Sequence, residues 1–186
     1  MNKPWIVFFS QTGAEIADLC ESLGTWPSRI ITNKRPSELR TIDPRIVEKG
    51  YLEVTNKPTE KELENILQYF VDPVITLHGW LRVMPPELCE KYNIFNGHPG
   101  LITDYPDLKG KDPQVRTWEG MKEGKYPTAG CVIHRVTAGV DEGKVLSFER
   151  FATWDIPTLD ELFDTLRDRS LYLWINLLKG IVVEKK

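Results

Sequence analysis

Asn96 and His98, two residues apart in Asn96-Gly97-His98-Pro99, and Asp141, in the later stretch from His134 to Gly143, are the side chains best placed for chemistry. The first two close an apolar, strand-like run, Ile94-Phe95, and residues i and i+2 of a strand point to the same face. A carboxamide and an imidazole would therefore aim at one point. Pro99 biases His98 to extended backbone and favours an end to the strand there. Polar groups at the carboxyl end of a sheet strand lie where α/β proteins bind ligands. Asp141 could orient the imidazole and keep it charged. The trio suits attack on a carbonyl: two donors for a developing oxyanion, and a carboxylate that keeps one of them protonated.

The elements that must position these residues are legible from periodicity. Trp5 to Phe9 is a continuous apolar run, as in a strand buried on both faces. The turn Ser10-Gln11-Thr12-Gly13 leads into a helix over Ala14–Leu23, with Ile16, Leu19, Cys20 and Leu23 on one stripe, and then a strand at Arg29–Thr32. A short helix near Asp43–Glu48 and a short strand at Tyr51–Val54 follow. Thr59 to Glu62 is a capping box that opens a helix carrying Leu63, Ile66, Leu67 and Phe70. Val74–Leu77 is a strand and His78–Arg82 the loop after it; Pro85 starts a helix over Glu87–Tyr92, and Ile94–Asn96 is the next strand. A helix from about Pro113 to Glu123 lies within the glycine- and proline-punctuated segment that follows. Strands at Gly130–Val136 and Val145–Phe151 flank the loop that holds Asp141. A second capping box at Thr158 starts a long helix that packs Leu162, Leu166, Leu173 and Leu177 and stops near Gly180. The alternation predicts an α/β fold: one mostly parallel twisted sheet, helices on both faces, a closing hairpin-like pair and a long C-terminal helix.

The 186 residues fit one compact domain, with no internal repeat or linker. Lys plus Arg number 24 against 27 for Asp plus Glu, a net charge of -3 without a basic run, so nucleic acid is not an expected partner. The 3 cysteines, Cys20, Cys89 and Cys131, are far apart and read as reduced thiols of a cytoplasmic protein. Neither a signal peptide nor a membrane span is expected. His78, His98 and His134 lack zinc-site spacing and there is no Cys-x-x-Cys, so no metal is expected.

With four stretches in order, the chain resembles the folate-dependent formyltransferase family, nearest to its branch acting on glycinamide ribonucleotide. They are Ser10 to Gly13; Gly79-Trp80-Leu81-Arg82-Val83-Met84; Asn96-Gly97-His98-Pro99-Gly100-Leu101, with Tyr105-Pro106 beyond; and Gly130 to His134 leading to Gly139 through Gly143. The resemblance covers roughly residues 4 to 180. It implies a Rossmann-like fold and catalytic roles for Asn96, His98 and Asp141. It implies 10-formyltetrahydrofolate as donor, held near Leu81, Arg82, Val83, Met84 and Val140. It places the acceptor amine near Gln11, Thr12, Gly13, Ala14, Glu15, Gly97, Pro99 and Asp168. The implied reaction formylates a primary amine, glycinamide ribonucleotide first among the candidates, in purine synthesis. The alternatives are another amine such as an amino sugar nucleotide, water as acceptor, or folate binding without catalysis. The implied partners are the two small molecules; a homodimer is left open.

Three departures from the family pattern stand out. Ala14-Glu15 replaces the Ser-Asn pair that ends the phosphate-holding turn in relatives, and a carboxylate at a helix N-terminus disfavours a phosphate in the same place. Gly97 stands where relatives carry a bulkier apolar residue. Asp168 maps to an acidic residue that touches the ribose in relatives. His134, within an apolar strand, reads as a hydrogen-bonded core histidine, and His78 as a loop histidine beside the pterin wall. Arg82 could be a solvated charge or a site residue. Trp80, Trp118, Trp154 and Trp174 read as packing residues.

Overall fold

The computed structural model describes residues 3–182. Seven strands form one sheet: β1 (Trp5–Phe9), β2 (Arg29–Thr32), β3 (Leu52–Glu53), β4 (Val74–His78), β5 (Asn93–His98), β6 (Thr128–Arg135) and β7 (Val145–Ala152), in the spatial order β3-β2-β1-β4-β5-β6-β7. The first five run parallel, and β6 and β7 join antiparallel. Six α-helices accompany them: α1 (Ala14–Leu23), α2 (Pro44–Lys49), α3 (Glu60–Leu67), α4 (Pro86–Lys91), α5 (Pro113–Lys122) and α6 (Leu159–Lys179).

Why β1 reads as unbroken apolar sequence is now evident. Val7 and Phe9 pack with Ile16 and Leu19 of α1 and Leu166 and Trp174 of α6. Ile6 and Phe8 pack with Leu63 and Leu67 of α3 and Leu88 of α4 on the other face. A strand covered on both faces has no position to give to a polar side chain. At the sheet edge β7 alternates half-buried with exposed residues, as an antiparallel strand with one wetter face does. The expected α/β architecture is the one found.

The chain order reverses between β1 and β4, and the carboxyl ends of those strands open a crevice. The turn after β1 and the loop after β4 are tied together there. The Ser10 amide donates to the Gly79 carbonyl at 3.2 Å, and the Leu81 amide donates to Ser10 Oγ at 2.9 Å.

Several local expectations need correction. His78 is the last residue of β4 and is buried, because its ring nitrogens find partners inside the fold. Residues α3 would need to reach Phe70 instead form a turn after Leu67. Thr59 accepts from the Glu62 amide, but the Glu62 carboxylate turns to the Thr55 amide and hydroxyl, leaving only half a capping box. On α6, Leu177 packs against the core as expected, half-buried, and Leu178 joins it fully buried. Trp154 is 85% exposed and packs nothing. Two 3-10 turns, Pro36–Thr41 and Pro106–Leu108, carry no periodicity that a sequence reading could use. All three cysteines are free and buried, and desolvation pushes the thiols of Cys20 and Cys131 up to about 12.

Candidate active site

The strand pairing sets the site. Asn96 lies opposite His134 and His98 opposite Val132 on the antiparallel neighbour β6, so the three polar side chains share one face of the sheet. Gly97 faces the other way. A Cβ there would sit 2.8 Å from Nε1 of the fully buried Trp174, so the indole of α6 occupies the space a larger residue would need.

Asp141 reaches in from the β6–β7 connection, with its backbone in the left-handed region at φ 52°. Its carboxylate joins both histidines: Oδ2 lies 3.2 Å from His98 Nδ1 and Oδ1 lies 3.2 Å from His134 Nε2. The Gly110 amide donates to Oδ2 at 2.8 Å and fixes the carboxylate. His98 Nε2 meets the Leu108 carbonyl at 2.9 Å. That carbonyl is held in turn by Arg116, whose guanidinium donates to the backbone oxygens of Asp107, Leu108 and Lys109. Both nitrogens of His98 therefore face acceptors. A neutral ring satisfies one of them, and the imidazolium satisfies both.

Burial is the largest influence on His98 and holds its pKa below the ordinary value, against the opposing pull of Asp141 and the Leu108 carbonyl. Burial pushes Asp141 up, but His134, His98 and the Gly110 amide outweigh it and keep the carboxyl below its usual range. The carboxylate is thus the charged partner of the pair, and burial of His98 opposes protonation of its ring.

His134 is buried and hydrogen-bonded as expected, and its partners make it part of this site as well. Its Nδ1 lies 2.9 Å from the Arg135 carbonyl, and its Nε2 lies 3.2 Å from both Asp141 Oδ1 and Asn96 Nδ2. Asn96 and Asp141 do not touch; His134 links them. The apolar neighbours that made it look like core are the residues that bury the site.

The residues expected to meet the acceptor lie in the turn after β1, on α1 and on α6. Gly13 adopts φ 77°, and a Cβ there would approach Ile46 Cγ1 at 3.2 Å and Phe9 at 3.3 Å, so both conformation and space call for glycine. Gln11 and Thr12 are exposed and Ala14 half-buried, while Pro99 is half-buried beside His98. Glu15 is engaged by two partners within the fold. Its carboxylate lies 2.9 Å from His78 Nδ1 through Oε2 and accepts from Ser170 Oγ at 2.7 Å through Oε1. Burial raises the pKa of Glu15, but His78, Ser170 and Arg167 overcome it and keep the group ionised. Asp168 points into solvent. Two residues are more than half a turn of helix, and it is Ser170 and Trp174 that α6 directs to this region.

The loop after β4 offers Leu81 and Val83 to solvent at 59% and 66% exposure, and Val140 beside Asp141 is 54% exposed, apolar surface suited to a flat ring. Met84 is buried in the core, so only its backbone can serve a ligand. Arg82 is neither a free charge nor an open ligand: its guanidinium donates to the Asn56 carbonyl and Oδ1, both at 2.8 Å. Among the described residues no group of three or more His, Cys, Asp or Glu is placed to hold a metal ion, and no helix is long and apolar enough to cross a membrane.

Comparison with known proteins finds relatives in both sequence and fold. The phosphoribosylglycinamide formyltransferase of Schizosaccharomyces pombe is 23% identical over 156 residues, 81% of this chain and 73% of that protein. That of Dictyostelium discoideum is 30% identical over 128 residues, 63% of this chain and 61% of that protein. The crystal structure of the phosphoribosylglycinamide formyltransferase of Streptococcus pneumoniae shares the fold with a TM-score of 0.75 at 22% identity, over 97% of this chain and 98% of that one. The formyl transferase family model matches residues 7–175. With the Asn96, His98 and Asp141 cluster at the end of β5, that match settles the class: the chain belongs to the formyl transferase family.

Proposed function

We propose that this formyltransferase moves the formyl group of 10-formyltetrahydrofolate to the amino group of glycinamide ribonucleotide, a step of purine synthesis. The observation that carries the reading is the Asp141–His98 pair, with Nδ1 and Oδ2 3.2 Å apart beside Asn96. The folate supplies an activated formyl carbon. Asn96 Nδ2 and protonated His98 donate to the formyl oxygen as it becomes an oxyanion, which requires His98 to give up or share its contact with the Leu108 carbonyl. Asp141 stabilises that imidazolium. The amine nitrogen forms the new C–N bond and must lose a proton, while the folate nitrogen gains one as its bond to the formyl carbon breaks. His98 and Asp141 are the groups in reach to move that proton, directly or through water.

The exposed apolar residues Leu81, Val83 and Val140, with the backbone at Arg82 and Met84, form the folate wall in this reading. Gln11, Thr12, Gly13, Ala14, Gly97 and Pro99 form the acceptor side. Names of relatives favour a phosphoribosylglycinamide acceptor, and the contacts of Glu15 with His78 and Ser170 hold its carboxylate in place beside the turn. We read residues 1–186 as one formyltransferase domain acting in the cytoplasm on its two small-molecule substrates without a metal. Turnover of 10-formyltetrahydrofolate with and without glycinamide ribonucleotide tests the reading. Amine-dependent turnover is expected. Turnover without the amine would make the chain a hydrolase, and tight folate binding without turnover a binding protein.

A further inference from the structure

On the face of the sheet away from Asn96 and His98, a line of polar contacts runs through the protein core. Trp5 Nε1 donates to Thr76 Oγ1 at 2.9 Å, and Thr76 Oγ1 lies 2.9 Å from His78 Nε2. The indole already occupies a lone pair of the hydroxyl, so its hydrogen is free to serve Nε2. Nδ1 faces a carboxylate, an acceptor only, and therefore carries the ring proton. A neutral His78 satisfies every contact. Its side chain is 1% exposed, and Trp174 packs on it with ring centroids 4.7 Å apart. The imidazole has no freedom to turn.

What it holds is Glu15, in the first turn of α1. The Ala17 amide is bonded to the Gly13 carbonyl at 3.1 Å. Of the amides before it, that of Ala14 donates to Thr12 Oγ1 at 3.3 Å, and those of Glu15 and Ile16 have no acceptor within the helix. A carboxylate one turn from such amides is drawn to them by the helix dipole. Left free, Glu15 would swing up and cover the amides itself. Two contacts oppose that: His78 at 2.9 Å and Ser170 at 2.7 Å.

We propose that His78 is a positioning residue for the acceptor: by holding Glu15 down against α6, it keeps the Glu15 and Ile16 amides of α1 open to a phosphate-bearing amine. Resting on the acceptor reading above, the inference adds a residue from β4 that never touches the substrate. It also gives Gly97 and Trp174 a joint purpose, since the glycine admits the indole that braces His78.

The test is the KM for glycinamide ribonucleotide against kcat in four variants. His78→Phe keeps the packing on Trp174 and removes the donor; KM should rise about tenfold, equal to about 1.4 kcal/mol, with kcat little changed. His78→Asn places an amide nitrogen near the position of Nδ1 and should keep KM near the parent value. Adding Glu15→Asn to His78→Phe should restore KM, because the competing charge is gone. An unchanged KM in His78→Phe, or a raised KM that Glu15→Asn does not restore, overturns the proposal. If His78→Phe does not fold, Ser170→Ala takes its place: a roughly threefold rise in KM, the scale of one hydrogen bond, is expected, and no rise overturns it. A parent enzyme that formylates some other amine but not glycinamide ribonucleotide is a different result: the acceptor reading fails, and this inference with it.

Discussion

Substituting Gly97 with alanine separates steric control of the catalytic strand from conformational control. Gly97 is not among the residues with positive φ, so alanine meets no backbone penalty there. The added Cβ would lie 2.8 Å from Trp174 Nε1 and 3.2 Å from Cε2 and Cζ2. Trp174 is 0% exposed, and its ring has no open space to retreat into. Overpacking of this kind costs about 1–3 kcal/mol. Replacing glycine returns about 0.4–1 kcal/mol by restricting the unfolded chain. The clash outweighs the entropy, leaving a net loss of about 1–2 kcal/mol. At this chain length each kcal/mol moves Tm by about 2–4 °C, so Gly97→Ala should melt about 2–8 °C below the parent. Differential scanning calorimetry on both proteins measures it. Trp174→Phe provides the control: the buried Nε1 has no partner, so the smaller ring also removes an unsatisfied donor. Gly97→Ala should cost little in that background. A Gly97→Ala melting point at or above the parent would refute the steric argument. Turnover at 25 °C then reports where the strain goes. If β5 moves, Asn96 and His98 move with it, and a misplacement of about 1 Å can cost about a hundredfold.

Three further outcomes are expected. His98→Ala should lose about a hundred- to thousandfold in turnover, the scale of a lost oxyanion donor, with folate affinity little changed; near-full turnover sinks the assignment. Activity requires protonated His98, so the rate falls as pH rises through its pKa. Asp141 raises that pKa against the larger effect of burial, and Asp141→Asn should therefore move the falling limb to lower pH; superimposable profiles would leave Asp141 only a loop-holding role. A reduced folate at about a hundred times its Kd adds about 2.7 kcal/mol to stability and should raise Tm by several degrees without any amine, and a flat melting curve under titration counts against the folate wall.

The sheet and its helices were legible because burial on two faces leaves a plain mark. Trp5 to Phe9 could be nothing but an inner strand, and Thr158 could open a helix in only one direction. The i, i+2 spacing of Asn96 and His98 was equally direct. What escaped were partnerships between residues far apart in sequence. His134 looks like core because Cys131 to Ile133 are core, and only the antiparallel pairing with β5 puts it opposite Asn96. Glu15 looks like an obstacle to phosphate until His78, 63 residues on, and Ser170, 155 residues on, are seen to hold it. Asp168 was placed by matching acidic residue types; on α6 it is exposed, while Ser170 is the residue that reaches Glu15. Trp154 carries a side chain that is usually buried, on a turn with nothing to bury it.

Burial of the three cysteines gives the protein an internal clock. Cys20 lies on α1, Cys131 on β6 and Cys89 on α4 across the sheet, so the two layers and the sheet between them each carry a thiol. Burial raises the pKa of all three, to about 12 for Cys20 and Cys131, and a thiol that is neither ionised nor exposed does not react. An alkylating reagent can reach each one only when its own neighbourhood opens. The rates of modification at the three sites, read by mass spectrometry, would therefore time the loosening of each layer separately, with no residue substituted.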